Sequence, residues 1–378
     1  MKFLHTSDLH IGLRLCEYSL LDDSAHILSE IADIASRENC SSVVVAGDIY
    51  DRSNPSAEAI AIFDRFVTDL SSRGISLIAV YGNHDSPERI GYLSNLLSSS
   101  GVHFSPVFNG KCDPVTLNDE FGEINFYLLP FIRPINVRAF FDDCTEDSFD
   151  GALSFFTEKM VVDTSKRNVM VTHQFVSDDK NSPIPDEAGG CSAVTSSAFK
   201  KFDYAALGHI HRAYSPAVSV RYCGSPMKCS FSEVGNKNTV DIVEIKEKGN
   251  ISVNRVPLHP LHEMREMRGS YNEIMSREVR ESANTDDYLR IILTDEDDIP
   301  DAAAKLRTVY KNLMRLSYDN KRTREIRVLD CTENECGERS FTPEDIFADL
   351  YELQNNKEAD ESIMKAVCEI FDKVREEI

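Results

Sequence analysis

Over the first hundred residues, short apolar runs alternate with helical stripes. Residues 2–6 form a strand-like run that ends on the polar stretch Ser7-Asp8-Leu9-His10. Over 22–37, Ile27, Leu28, Ile31 and Ile34 recur at helical spacing behind an acidic start that suits the helix dipole, which predicts a helix. Val43 to Ala46 is an unbroken apolar run closed by Gly47-Asp48. A second helical pattern covers 56–72, and Ile75 to Val80 is a strand closed by Gly82-Asn83-His84-Asp85. Strand, helix, strand, helix, strand predicts an α/β fold with polar residues gathered at strand ends, where open α/β sheets place their ligands.

After residue 100 the pattern changes. Segments 123–129, 168–172, 203–207 and 239–244 read as strands, and 178–190 as a polar Pro/Gly-rich loop. Residues 254–285, interrupted by Pro257-Leu258-His259-Pro260, read as a connection leaving the first domain. A strand at 287–293, a helix at 301–316 with Ala303, Leu306, Val309, Tyr310 and Leu313 on one side, and a strand at 325–330 predict a small α+β unit. A helix over 342–353 starts on Thr342 and Pro343, and 361–378 carries an apolar stripe of Ile363, Met364, Val367, Ile370, Phe371, Val374 and Ile378. That stripe fits either a hairpin packed on its own domain or a face presented to a partner.

The length, 378 residues, fits two domains or one large domain with appendages. The net charge of −22 matters more, because nucleic-acid affinity depends largely on neutralising phosphates. Phosphodiester chemistry here would need metal ions or a partner to supply positive charge. Ten scattered cysteines without a CxxC pair point to a reducing compartment. The start MKFLHTSDLHIG lacks the apolar run of a signal peptide and no stretch reaches a membrane span, so a cytoplasmic chain with no membrane contact is expected.

Five polar clusters follow the predicted strands: Asp8-Leu9-His10, Gly47-Asp48, Gly82-Asn83-His84-Asp85, Thr172-His173 and Gly208-His209-Ile210-His211. In Asp8-x-His10 and His209-x-His211, alternate residues of an extended segment point the same way, so each pair can offer two donors together. Carboxylate, imidazole and amide oxygen make a mixed N/O set that suits Mn, Fe, Zn or Co better than Mg. Each motif alone is weak; five of the ten histidines falling in these clusters predicts a binuclear centre. His5, His26, His103, His259 and His262 read as structural or exposed, Ser225-Pro226 as a turn, and Cys223 and Cys229 as small buried residues. No GxxxxGK[ST] occurs, so no ATP site of that kind is expected.

The ordered set resembles the calcineurin-like metallophosphoesterases. HTSDLHIG, VVVAGDIYDR, AVYGNHDSPER and ALGHIHR followed by YCGSPMKCSFSE resemble more closely the SbcD/Mre11 nuclease-subunit family, in its bacterial branch, over about residues 1–260. The resemblance implies a sandwich of two mixed sheets flanked by helices, with a small α+β capping domain and C-terminal helices. The domains would be 1–260 for the nuclease, 261–335 for the cap and 336–378 for binding a partner. It implies two divalent ions, manganese expected and magnesium a weaker substitute, one held by Asp8, His10, Asp48 and His211 and the other by Asp48, Asn83, His173 and His209. A water between them would attack phosphorus, with His84 facing the scissile phosphate and Asp85 orienting His84 or fixing the loop, or a further catalytic candidate. Asp51 stands where some members carry an auxiliary histidine.

Arg14, Arg52, Arg89 and Arg212 lie beside the motifs and are candidates for DNA phosphates. Stretches 57–72 and 88–99, with Ile60, Phe63, Phe66, Leu93, Leu96 and Leu97, match the family's dimerising helices. The implied partners are DNA, a second copy within a heterotetramer, and an SbcC/Rad50-like SMC ATPase bound by the C-terminal helices. The implied activity is 3′ to 5′ exonuclease on duplex DNA and endonuclease on single strands or hairpins, in DNA repair, recombination and replication. The alternatives are a small-molecule or phosphoprotein phosphoesterase and a nonenzymatic assembly subunit.

Overall fold

Val43, Val44, Val45 and Ala46 are all fully buried, because both faces of their strand are covered. Val43 and Val45 pack with α1 (Leu21–Arg37) and α2 (Ala57–Ser72), whereas Val44 and Ala46 pack against a second sheet. That double burial is why the strand reads as a continuous apolar run rather than an alternating one. Ser56 caps α2 by accepting the Ala59 N–H at 3.2 Å, and Asp22 and Asp23 occupy the first turn of α1.

The computed structural model describes residues 1–92, 94–178, 193–282, 284–321 and 323, together with 347, 351, 363–367 and 371. One unit comprises Met1–Leu293 with Ile299–Ser317, and another Thr294–Asp298 with Tyr318–Ile378. In the first unit, one six-stranded sheet runs in the order β14 (Ile251–Pro257), β13 (Thr239–Ile245), β1 (Lys2–Thr6), β4 (Ser42–Ala46), β5 (Ser76–Val80) and β6 (Val102–Phe104). The other runs β11 (Tyr214–Ala217), β12 (Val220–Tyr222), β10 (Tyr204–Gly208), β9 (Arg167–His173), β8 (Gly122–Leu129) and β7 (Pro114–Asp119). Strands β1, β4, β5 and β6 are parallel in the first sheet, as are β8, β9, β10 and β12 in the second. Strand β1 is paired with β4 through Thr6↔Val45 and β9 with β10 through His173↔Gly208, so their carboxyl ends reach the same edge of the sandwich. A short hairpin of β2 (Arg14–Leu15) and β3 (Tyr18–Ser19) follows β1.

The expected mixed-sheet sandwich is present, and two details differ. Residues 254–285 are not a bare connection: they contain the end of β14, which pairs with β13, then β15 (Met264–Gly269) and two short helices. The helix expected over 301–316 spans only Ala302–Arg307, and β17 (Leu313–Tyr318) follows in a sheet with β16 (Tyr288–Leu293) and β15. Leu306, Tyr310 and Leu313 are all buried, so two elements feeding one core produced what looked like a single helical stripe. The strand expected at 325–330, all of the loop at 178–190 but its first residue, and most of the helix at 342–353 lie outside the described residues. In the second unit, 363–367 is helical as expected, and the Phe347 and Tyr351 rings lie 6.0 Å apart at helical spacing. Of the dimer candidates, Phe63 and Phe66 are core residues and Leu97 packs against that core, whereas Ile60 and Leu96 are exposed. Leu93 lies outside the described residues.

His5 sits between the sheets, with Nδ1 accepting from the Tyr204 hydroxyl at 3.0 Å and Nε2 donating to the Leu207 carbonyl at 3.2 Å. Burial outweighs the nearby Asp241 carboxylate and pulls the imidazole down to about 4. The unfolded chain therefore binds this proton first as pH falls, so the stability from neutral His5 is whole above about 6.5 and is lost toward pH 4. Between pH 7.5 and 4.5 the metal-free wild type should lose about 2–3 kcal/mol more than His5→Gln. Urea unfolding of both proteins at the two pH values measures the difference, and equal losses would refute the assignment.

Candidate metal centre

The loops leaving β1 and β4 continue as paired backbone beyond the sheet. Asp8 N–H donates to the Gly47 carbonyl at 3.0 Å, His10 N–H to Asp48 at 3.1 Å and Ile11 N–H to Ile49 at 3.0 Å. This pairing carries Asp8 and His10 alongside Asp48. The turn is sharp enough that Asp8, His10, Asp48 and His209 all take positive φ, at 54°, 41°, 49° and 102°. Non-glycine residues held there are strained, and surrounding bonds must hold them in place.

Those bonds are visible. Both oxygens of Asp85 face backbone, taking the N–H groups of Gly82 (2.9 Å), Tyr50 (2.9 Å) and Ile49 (3.1 Å), so one carboxylate ties the loops after β4 and β5 together. Burial, followed by repulsion from Asp48, pushes Asp85 up to about 6 against the pull of those donors. Asp8 accepts the His209 N–H at 3.0 Å and the Ser7 hydroxyl at 2.5 Å, which links the two sheets' loops. Gly82 is required sterically, since a Cβ there would lie 2.1 Å from Asp48 Oδ1.

The donor atoms gather in two groups that share Asp48. In one, His10 Nε2 lies 3.2 Å from His211 Nε2 and 3.7 Å from Asp48 Oδ2, and His211 Nε2 lies 3.9 Å from Asp8 Oδ1. In the other, His173 Nε2 lies 3.2 Å from Asp48 Oδ2 and 3.1 Å from Asn83 Oδ1, which in turn is 3.0 Å from His209 Nδ1. Metal–nitrogen and metal–oxygen bonds of about 2.1 Å place neighbouring donors about 3.0–3.4 Å apart; the second group matches that spacing, the first has pairs at 3.7 and 3.9 Å that would close by about half an ångström, and the set fits two divalent ions. The outward nitrogens are occupied as ligating imidazoles require: His173 Nδ1 bonds the Ala46 carbonyl at 2.8 Å and His211 Nδ1 bonds Glu233 Oε1 at 3.0 Å.

Electrostatics agree with this. Burial alone would discharge His173 and His211, yet Asp48 and Asp8 push His173 up to about 9, and Cys229, Glu233 and Asp8 raise His211. Burial would likewise raise Asp48, but His173, then His10 and His84, hold its carboxylate below the usual range. His10 goes the other way, down to about 3, because burial exceeds the pull of Asp48. The carboxylate field that keeps protons on buried imidazoles is the field a divalent ion would satisfy by displacing them.

His84 is exposed and its ring stands edge-on to His10, with centroids 4.8 Å apart. Its backbone N–H donates to Asp48 Oδ1 at 2.9 Å and its Nδ1 to the Asp51 carbonyl at 2.8 Å, and one of its ring nitrogens lies within 4.8 Å of ligand atoms of His10 and Asp48. Asp51 thus contributes its backbone, while its side chain lies 3.4 Å from Arg52 Nε and 3.8 Å from His10 Nδ1. Arg14, Arg52, Arg89 and Arg212 are all at least partly exposed; Arg14 bonds the Glu17 carbonyl and Arg89 bonds Asn54.

Sequence reasoning missed three neighbours. Glu233 orients His211, Cys229 lies half-buried with its thiol within 4.8 Å of a ring nitrogen of the same imidazole, and the Phe131 ring stacks beside His209 at 6.3 Å. Cys223 is buried as expected, but Cys229 is not simply a small core residue. Cys229 and Glu233 both stand in the stretch YCGSPMKCSFSE, but Glu233 lies 22 residues from His211 with no periodicity to join them.

The profile described as calcineurin-like phosphoesterase matches residues 1–213, and that described as type 5 capsule protein repressor C-terminal domain matches 260–355. The SbcD subunit of the SbcCD nuclease from Staphylococcus epidermidis is 31% identical over 84% of this chain and 85% of its own length. The protein of the same description from Staphylococcus saprophyticus is 32% identical over 84% of each. Among solved structures, a dimetal phosphatase from Danio rerio superposes with a TM-score of 0.39 at 13% identity, covering 68% of this chain and 99% of the other. No helix among the described residues is long and apolar enough to cross a membrane.

Proposed function

The chain belongs to the SbcD nuclease-subunit family of calcineurin-like phosphoesterases, and from that premise we propose that it is a two-metal DNA nuclease working at DNA ends with an SbcC/Rad50-like ATPase. The observation that carries this reading is the pair of donor groups sharing Asp48. Asp8, His10, Asp48 and His211 would hold one ion, and Asp48, Asn83, His173 and His209 the other. Such ions supply a water of lowered pKa and neutralise charge on the phosphate oxygens. Manganese is the proposed resident, since two carboxylates and an amide oxygen beside the imidazoles make a mixed N/O set that suits it better than magnesium.

The chain's own residues do the rest. The Asp51 carbonyl takes the His84 Nδ1–H and orients the ring, and the imidazolium form, protonated on Nε2 as well, would hand that Nε2 proton to the leaving 3′-oxygen and return to the Nδ1–H tautomer. Asp85 is a positioning residue, not a catalytic one, because its oxygens are spent on loop backbone. Arg14, Arg52, Arg89 and Arg212 supply local positive charge on an acidic molecule, and the ATPase supplies more. Residues 1–260 form the nuclease domain, 261–335 narrow DNA access, and 336–378 bind the ATPase, with two copies in a heterotetramer. The cysteines at 16, 40, 112, 144, 223 and 229 are free, which suits the reducing cytoplasm.

The test is Mn-dependent digestion of end-labelled duplex and hairpin DNA. EDTA should abolish cleavage, and His84→Gln should slow it about 10²–10⁴-fold while metal content stays at two ions. Shortening from 3′ ends and opening of hairpins is the expected product pattern. A wild type that holds two ions and hydrolyses only small phosphodiesters, with or without the ATPase, would replace the nuclease reading by a small-molecule one.

A further inference from the structure

Beside the first donor group lies a thiol that the two-metal reading does not use. The candidate ligand atoms of His10, His211 and Cys229 all lie within 4.8 Å of one another. The three are held from behind. Glu233, which is 5% exposed, accepts the His211 Nδ1–H on Oε1 at 3.0 Å and the Cys229 backbone N–H on Oε2 at 2.9 Å, so one buried carboxylate sets both the imidazole and the cysteine. His10 is 3% exposed, and its Nε2 lies 3.2 Å from His211 Nε2, the spacing of two donors that converge on one ion. The Cys229 thiol donates a long 3.8 Å bond to the Met227 carbonyl, so its rotation breaks little.

We propose that Cys229 gives the His10–His211 pair a third, thiolate donor, which makes this corner of the centre a site for a thiophilic divalent cation of the zinc class. This rests on the reading of His10 and His211 as metal donors. An N₂S set at about 2.1 Å for nitrogen and 2.3 Å for sulfur is a zinc-type environment, whereas hard ions gain little from sulfur. On binding, the sulfur–metal bond forms, the thiol proton passes to solvent, and no electrons are transferred. A soft ion would therefore be held here more tightly than manganese and would compete with it for His10 and His211.

Cobalt(II) is the probe, because thiolate ligation gives it a near-ultraviolet charge-transfer band that nitrogen and oxygen ligands do not. Metal-free full-length wild type, Cys229→Ser, Cys229→Ala and Cys223→Ser are titrated with cobalt(II). Wild type and Cys223→Ser should develop the band, and both Cys229 variants should lack it while keeping the visible bands of bound cobalt. The zinc concentration that displaces cobalt should be about tenfold or more higher for the Cys229 variants, a loss of about 1.4 kcal/mol or more in binding. A band of equal strength in the Cys229 variants, or none in wild type with cobalt bound, overturns the proposal. Failure of every protein to bind cobalt would overturn the underlying reading of the histidines instead.

Discussion

An Asp48→Ala protein is expected to bind at most one divalent ion per chain and to cleave DNA at least about a thousandfold more slowly than wild type. Asp48 is the residue common to both donor groups, with Oδ2 3.2 Å from His173 Nε2 and 3.7 Å from His10 Nε2. Its Oδ1 also accepts the His84 N–H at 2.9 Å, so the same change unfastens the residue proposed to face the phosphate. Alanine at φ 49° is disfavoured as well. Asp48→Asn separates these effects, since its amide oxygen can keep the His84 bond while the charge is lost. Metal content by elemental analysis and single-turnover cleavage of labelled duplex measure both. Two ions and near-normal cleavage in Asp48→Ala would sink the shared-ligand reading.

The second large effect is steric. Gly208→Ala is expected to destabilise the protein by about 3 kcal/mol or more and to weaken metal binding at the His173 side at least about tenfold. A Cβ on Gly208 would lie 1.9 Å from the Ala46 carbonyl oxygen and 2.7 Å from His173 Nδ1. Neither neighbour can yield: the carbonyl belongs to buried β4, and it is the atom that orients His173 through the 2.8 Å bond. The close approach of β10 to β4 at this level is what brings His209 within reach of Asn83. Urea unfolding with and without metal, together with a cobalt titration, distinguishes this from a surface glycine such as Gly74, where a Cβ meets nothing within 4 Å. Gly208→Ala with wild-type stability and affinity would show that the two sheets are free to separate here.

The parts of the molecule that could be read in the sequence share one property: their signal is local. The runs 43–46 and 75–80 and the stripe of α1 declare themselves because burial on two faces or on one helical face imposes a period on adjacent residues. The five polar clusters were legible because each follows its strand directly, and β1, β4, β5, β9 and β10 bring those ends to a common place. Where two elements share one core the same logic misleads, as Leu306, Tyr310 and Leu313 did by imitating a single helix.

What the sequence by itself determined was the donor chemistry, the order of the strands that carry it, and hence a centre at their carboxyl ends. Only the tertiary structure decided how those donors are held. Asp85 turned out to staple two loops, Asp51 to act through its carbonyl, Glu233 to set His211 and Cys229 together, and Gly208 to admit the Ala46 carbonyl. Most of these contacts join positions far apart in the chain, and the Glu233–Cys229 pair meets across an irregular turn, so no spacing rule connects them. A donor's identity is a property of one residue, whereas its orientation depends on whichever backbone or carboxylate the packed sheets bring to its far side.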